Sequence, residues 1–588
     1  MATGVIAPQT NARHRIISTR SIRLALTLAI AVAISWKYAE IHPLLLFNRT
    51  TFIAVTRFIV QALPPDLSLG FLRVVAEAAL LTVATAIAST ALSVLLAVPL
   101  GMLACSTLWR HGLVATSRGE GASFRILAAL SVSVRAVLGF LRAVPDLVWA
   151  LLFVSAIGLG PLAGTLALAV SYAGVLGRVY ADLFDAVDAQ PLEALLSTGG
   201  GRAQIFLTGI WPQSLPNLTA YTLYSFECCV RAAAVLGFVG AGGIGYQISL
   251  SMRLFEYRQV FTLLLAFIAI LSLTDIASRK LRAFLNADLP VRGTSFSLMP
   301  ADGLLGTSFP GRQRLTRSFH RRFIFSAFLC AIAVSFYFSG FIGVFTQEGL
   351  KTPMELIRFA SKLLPADLSL QFMRSLWLPL IQTIAISLIG TLIGVLFGGL
   401  LSITATSRLV FAPTDGPGHH TLLSSGLRNA IYWTSRLVLS VLRSIPELVW
   451  ALMCIIAIGT GPFAGTIALG LHTTGVLGKL YADTMEEVAM RPVEALRAIG
   501  TRPFQLLLWA IWPQTRRLLG SYTVLRWDMN LRAATILGLV GGGGLGQVMY
   551  NDVQLGFYPR VATLILVVYA LVMATDWAGS KIWTAASD

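Results

Sequence analysis

The chain states its plan twice. Pro191–Pro212 reads PLEALLSTGGGRAQIFLTGIWP and Pro492–Pro513 reads PVEALRAIGTRPFQLLLWAIWP, with every matched position displaced by 301 residues. From Leu63 to Lys280 the repeat needs no gap, and between Leu141–Asp182 and Leu442–Asp483 about three residues in five are identical. What one half builds, the other must build as well.

The repeated material is lipid-soluble. Of 588 residues, 56% are hydrophobic and 12% charged, where a soluble protein carries about 25% charge. Mean hydropathy is +0.75. This is the composition of an all-α polytopic membrane protein, because helices satisfy every backbone group internally within lipid. The 45 Lys and Arg against 27 Asp and Glu leave a net charge of +18. Nucleic-acid binding is excluded as the reason. The excess lies in a tail and in loops between apolar segments, as the positive-inside rule expects of cytoplasmic connections. None of Cys105, Cys228, Cys229, Cys330 and Cys454 has a cysteine at its repeat-equivalent position, and no CxxC occurs. They read as small apolar residues, neither a disulfide framework nor a metal site.

Six apolar segments per half follow from the pattern. The basic tail Met1–Arg23 and the run from Leu24 could be a signal peptide. The corresponding run, Phe323–Phe345, is internal and long enough to span, so both are expected to be first spans. LPPDLSL (Leu63–Leu69) and LPADLSL (Leu364–Leu370) mark a break and a helix N-cap. Ala76–Ala104, Leu127–Gly158 (interrupted by Pro145), Pro161–Asp182, Ile205–Val239 and Tyr257–Ser278 complete the first half. Pro379–Ser407, Asn429–Gly459, Pro462–Asp483, Phe504–Val540 and Tyr558–Ser580 complete the second. A span needs about 20 residues, giving about 12 in all.

The division expected is residues 1–280, a basic linker 281–321, and residues 322–588. Arg279–Arg322 holds nine Arg and Lys against Asp288 and Asp302, so it and both termini are placed in the cytoplasm, with Thr107–Arg125 and the repeated loops. Pro64–Ser68 and Gly240–Arg253 are placed outside. An even number of spans gives the halves one orientation, related by an axis along the membrane normal.

Four charged pairs lie inside the apolar segments: Arg142 with Asp146, Arg443 with Glu447, Glu227 with Arg231, and Asp528 with Arg532. Each is spaced i,i+4, which on a continuous helix puts opposite charges on one face. The expectation is that each helix neutralises its own charge; the alternative is that the groups line or gate a path. The stretches GFVGAGGIG (Gly237–Gly245) and GLVGGGGLG (Gly538–Gly546) lack the Lys and Ser/Thr of a P-loop. Gly240, Gly242, Gly243, Gly541, Gly543 and Gly544 are expected to permit close backbone approach or a re-entrant turn.

The repeated stretch resembles the EAA loop of binding-protein-dependent ABC importers. Glu193, Ala194, Gly199 and Pro212 match its pattern, as do Glu494, Ala495, Gly500 and Pro513; Leu195 and Leu496 replace the third alanine. The alternative is an ordinary helix–turn–helix connector. Pro191 suits a first helical turn, Glu193 suits the helix N-terminus, and Gly199 can close the helix left-handed.

Together with LRAVPDLVWAL (Leu141–Leu151), LRSIPELVWAL (Leu442–Leu452) and the VGAGGIG stretch, the chain is similar to two fused copies of the phosphonate ABC-transporter permease. Asp528 for Glu and GGGGLG for GAGGIG are departures in the second half. The resemblance implies a pseudo-twofold type I importer transmembrane domain in a bacterial inner membrane, needing no homodimer. It implies two ATPase subunits, carrying ATP and Mg, docked on the two loops. It further implies a periplasmic or lipid-anchored binding protein delivering phosphonate, phosphite or a related oxyanion. The chain itself would hydrolyse nothing and hold no cofactor. An amino-acid permease such as one for methionine, a secondary transporter and a membrane scaffold are the other readings.

Overall fold

The computed structural model describes residues 19–109, 122–286, 326, 329–341, 352–410 and 422–587. Most of the central linker, most of Thr107–Arg125 and much of Phe323–Phe345 fall outside these residues.

Helices carry the first half in the order α1 (Thr19–Tyr38), α2 (Arg49–Ala62), α3 (Leu69–Ala104), α4 (Ala122–Ala143), α5 (Asp146–Ile157), α6 (Pro161–Asp185), α7 (Ala189–Ser197), α8 (Arg202–Val239), α9 (Gly243–Arg253) and α10 (Tyr257–Asn286). After a short apolar helix, Leu329–Phe338, the second half repeats them as α11 (Thr352–Leu363), α12 (Leu370–Thr404), α13 (Leu422–Ser444), α14 (Glu447–Ile458), α15 (Pro462–Glu486), α16 (Met490–Ala498), α17 (Trp512–Gly538), α18 (Gly544–Gln554) and α19 (Tyr558–Ser587). Among the described residues six helices are long and apolar enough to cross a membrane, and two bent pairs add two more. In the second half α15 and α17 fall short on hydropathy, not length, with 25 and 27 residues. Their first-half counterparts α6 and α8 both qualify.

The tightest packing in each half joins α3 to α6 and α12 to α15. Ser89 and Ser93 of α3 donate hydrogen bonds to the Thr165 and Ala169 carbonyls at 3.2 and 3.1 Å. The second half uses glycine at the same places: a Cβ on Gly390 would stand 3.0 Å from the Leu469 side chain, and one on Gly394 2.3 Å from that of Thr473. Small residues are the general means of bringing helices together where lipid supplies no hydrophobic drive. The halves meet through one apolar core to which both contribute, Leu147, Val148 and Leu236 from the first and Leu448, Val449 and Leu545 from the second. Elements cross over: α1 lies on α12, α2 on α14, α11 on α5, and α19 on α4.

Leu127–Gly158 is not one continuous span. Proline disfavours helix at the residue before it, and α4 stops at Ala143 while α5 starts at Asp146, the axes meeting at 87°; the second-half pair meets at 94°. The Pro145 carbonyl receives the Val148 N–H at 3.0 Å, and Trp149 braces the corner by donating Nε1–H to the Leu141 carbonyl at 3.4 Å. Trp450 does the same to Leu442 at 3.3 Å. Gly174 and Gly475 admit the corner, since a Cβ there would lie 2.6 Å from the Arg142 nitrogen and 2.4 Å from that of Arg443.

Leu69 and Leu370 begin helices with Ser68 and Ser369 at the N-cap positions, as expected, but neither side chain makes the capping bond. Their N–H groups instead donate to Asp66 and Asp367 at 3.0 Å. The N–H and hydroxyl of Ser68 hold the Asp66 carboxyl below the usual carboxylate range.

Candidate functional site

Both repeated loops form short exposed helices. α7 is nine residues long, and its N-cap Asp188 accepts the Gln190 N–H at 3.2 Å. It is anchored by Leu192, which is buried, while Glu193, Ala194 and Gly199 are exposed. α16 is anchored by buried Val493 and exposes Glu494, Ala495 and Gly500. Gly199 and Gly500 close these helices at φ +80° and +76°, the left-handed end that glycine favours. Nothing lies within 4 Å of a Cβ at either position, so backbone conformation alone requires glycine there. Beyond each helix a π-helical turn, Phe206–Ile210 and Leu507–Ile511, leads into Trp-Pro. Pro212 and Pro513 cannot donate to the carbonyl four residues back, and widening the turn absorbs that loss.

The glycine stretches are near-copies. Gly240, Gly242 and Gly243 take φ of +98°, +82° and +74°, and Gly541, Gly543 and Gly544 take +99°, +80° and +73°. The turn is stitched into the bundle in the same way in both halves. Gly160 and Gly461 donate N–H to the carbonyls of Gly240 and Gly541 at 3.0 Å. The Ile244 and Leu545 N–H groups, at the starts of α9 and α18, donate to Thr82 and Thr383 at 2.9 Å. Gly245 and Gly546 carry the steric limit, for a Cβ would stand 1.7 and 1.8 Å from the carbonyl oxygens of Ala234 and Thr535.

The charged pairs depart from expectation. Arg142 and Asp146 lie on different helices, so the bend at Pro145 removes the shared face. Arg142 reaches instead across the halves to Asp576 of α19, at 2.6 Å. Asp146 accepts its neighbouring Leu147 N–H at 3.0 Å. Arg443 is parted from Glu447 by the equivalent bend and, among the described residues, makes no ion pair within 4 Å; Glu447 faces His472, whose Nε2 is 3.7 Å away. With Nδ1 of His472 3.0 Å from the Ile445 carbonyl, a neutral ring must donate there and turn a lone pair toward Glu447. Glu227 pairs with Arg282 rather than Arg231. Asp528 with Arg532 alone keeps the within-helix pairing.

Residues 112–287 and 422–580, more than half the chain, match the binding-protein-dependent transport system inner membrane component family. The chain belongs to this family. The permease is 31% identical over 512 residues to the phosphate-import permease protein PhnE of Mycolicibacterium smegmatis, covering 85% of this chain and 84% of that one. It is 36% identical over 217 residues to the phosphite transport system permease protein PtxC of Stutzerimonas stutzeri, covering 37% and 72%. The methionine import system permease protein MetP of Bacillus subtilis is more distant, 25% identical over 142 residues, covering 22% and 64%. The permease is thus a multi-pass inner membrane transport protein.

Sequence reasoning missed several polar residues of the permease interior. Asp576 was legible, for it and its counterpart Asp275 are acids inside apolar runs, TDWAG and TDIAS. Arg526 and His472 were harder. Their counterparts are Ser225 and Ser171, so a search for repeated features passes over them. The same holds for Asn530, opposite Cys229. Its amide donates to Thr391 at 2.8 Å and to Thr473 at 3.0 Å in the buried core.

Proposed function

We propose that this permease is the membrane-spanning conduit of an ABC importer for phosphorus oxyanions, phosphonate, phosphite or phosphate, with both transmembrane halves in one chain. The observation that carries the reading is the match to the phosphate-import permease over 85% of the chain, so that the relative's likeness extends across both halves. α7 and α16 serve as docking helices for two ATPase subunits, which bring ATP and Mg. Each presents an exposed Glu-Ala face held by a single buried anchor, Leu192 or Val493.

That end of the bundle is cytoplasmic in this reading, with the linker and both termini. Ser106, just past α3, donates to Asp185 at the end of α6 at 2.7 Å, which places both helix ends there. The opposite end faces outward. There Asp66 N–H meets the Arg258 carbonyl at 3.4 Å. From Thr82 to Ala104, α3 runs for about 33 Å, roughly the thickness of a hydrocarbon core. Its earlier turns carry the Arg73–Glu77 pair, 84% and 66% exposed, which suits water and not lipid. The outer third of α3, α9 and the Leu63–Ser68 loop therefore form a platform for a binding protein. Switching between outward and inward states would flex the corners at Pro145 and Pro446, which line the interface of the halves.

A strain lacking this chain should lose uptake of radiolabelled phosphite, methylphosphonate or phosphate and keep methionine uptake. Loss of methionine uptake alone would overturn the reading in favour of an amino-acid permease.

A further inference from the structure

Each repeated loop carries a short exposed helix, yet the two helices are fastened differently. Arg408, in the short helix Ser407–Val410 just past α12, donates Nη1–H to the Val488 carbonyl at 2.6 Å, immediately ahead of α16. Arg497, in the last turn of α16, donates Nη2–H back to the Arg408 carbonyl at 2.8 Å. One residue thus holds α16 at both ends. A third bond fixes the entry. The Ala489 N–H donates to Gln514 Oε1 at 3.1 Å, and Gln514 donates in turn to the Ala510 carbonyl at 2.8 Å, within the π-helical turn. Arg408 and Arg497 are half-buried, and hydrogen bonds from a guanidinium are stronger than those between neutral groups.

The first half lacks this clasp. Thr107, Leu196 and Asp188 stand at the places of Arg408, Arg497 and Ala489, and Asp188 caps its own helix. Among the described residues every hydrogen bond of α7 stays within residues 188–200. What joins α7 to the bundle is apolar: Leu192, with half-buried Leu195 and Leu196. Apolar contact is non-directional and lets a helix roll or slide on its seat. A hydrogen bond weakens steeply once its angle is lost, so a helix tied at both ends carries its neighbours with it. Those neighbours are the ends of α12, which leads into Arg408, and of α15, which leads into Val488. We propose that Arg408 and Arg497 are positioning residues for the transport cycle. They make α16 the stiff member of the docking pair, through which the movement of an ATPase subunit reaches α12 and α15, while α7 gives way on its apolar seat. The proposal deepens the docking reading above and rests on it for the identity of the partner.

The test begins with hydrogen–deuterium exchange of the full chain in detergent. The amides of α16 should exchange about tenfold more slowly than those of α7. Arg408→Thr with Arg497→Leu, which installs the first half's own residues, should bring α16 to the α7 rate. Equal rates in the wild type overturn the proposal. In cells carrying the whole transporter, the double variant should lower phosphite uptake fivefold or more at normal abundance. The ATPase that co-purifies with it, and its rate of ATP hydrolysis, should stay within twofold of wild type. Arg408→Lys with Arg497→Lys, which keeps a donor at each place, should recover part of the uptake. Wild-type uptake by the double variant overturns the proposal. So does loss of the bound ATPase, which would make the arginines part of the seat and not of the transmission. Arg497→Leu alone carries the same expectations where the double variant fails to accumulate. A wild type that retains no ATPase would count against docking on α7 and α16, leaving the exchange rates to judge the clasp separately.

Discussion

At the end of the bundle that bears the short exposed helices, each half builds the same cluster of charges. Arg135 reaches Asp185 at 2.7 Å and Asp182 at 3.3 Å, and donates Nε–H to the Ala104 carbonyl at 2.7 Å. Arg436 reaches Glu486 at 2.8 Å and Asp483 at 3.0 Å, and donates to the Ala405 carbonyl at 2.9 Å. At the centre they differ. Arg142 closes on Asp576, while the equivalent Arg443 has no acid within 4 Å among the described residues, Asp275 included. Glu227 reaches Arg282 of α10, where the second half has Trp583 in sequence, and the shorter Asp528 turns to Arg532 on its own helix. The difference teaches where a repeat preserves contacts. Arg135 and Arg436 each find their partners within their own half, so copying the sequence copies the bond. Arg142 finds its partner across the halves, where the repeat does not copy the contact, and Glu227 and Asp528 differ because Arg282 has Trp583 as its counterpart.

The glycine turns belong with the copied set and should show the largest effects. Gly245→Ala and Gly546→Ala each push a Cβ into a carbonyl oxygen, and each should abolish membrane accumulation of the full-length chain, measured by immunoblot. Equal loss is expected in the two halves; survival of either variant would show that the turn tolerates rearrangement. Next come the copied ion pairs. Arg135→Ala and Arg436→Ala should destabilise by similar amounts, about 1–3 kcal/mol, as they take the cation from partly buried carboxylates that keep only neutral donors such as the Ser106 and Ser407 N–H groups, with the thermal unfolding of both variants as the measure. The central arginines should break that parity. Arg142→Ala strands Asp576 and should cost about 3 kcal/mol, whereas Arg443→Ala removes a charge without a bonded partner and should cost under about 1 kcal/mol or stabilise. Equal costs at these two positions would mean the asymmetry of the centre is not energetic.

At the docking helices the effect should fall on function and leave abundance almost untouched. Gly199→Val and Gly500→Val each force a β-branched residue to φ near +80° with no steric contact, a strain of about 1–3 kcal/mol confined to a surface turn. Abundance should stay near normal while uptake and stimulation of the ATPase fall together. Normal uptake by the double variant would reduce α7 and α16 to connectors.

Much of this was legible in the sequence. The helical membrane class, the two halves and the left-handed helix ends at Gly199 and Gly500 followed from composition, the offset of 301 and local backbone chemistry. The glycine-rich turns were legible for the same reason, since φ is a property of a few neighbouring residues. The charge pairing was not. Spacing of i,i+4 predicts a bond only along an unbroken helix, and Pro145 and Pro446 break two of the four. The partner of Arg142 lies 434 residues away, beyond anything that local periodicity reports. Arg526 and His472 were hidden because attention to what repeats excludes what does not.

The claim that the halves are tied across their interface by Arg142 and Asp576 is tested most directly by exchanging the charges. Arg142→Asp and Asp576→Arg should each lower abundance and uptake severely, since each places two acids or two arginines together. The combined variant should recover most of both. Arg142→Asp combined with Asp146→Arg should recover nothing. Recovery in that second combination, with none in the first, would contradict the account and restore pairing within the half.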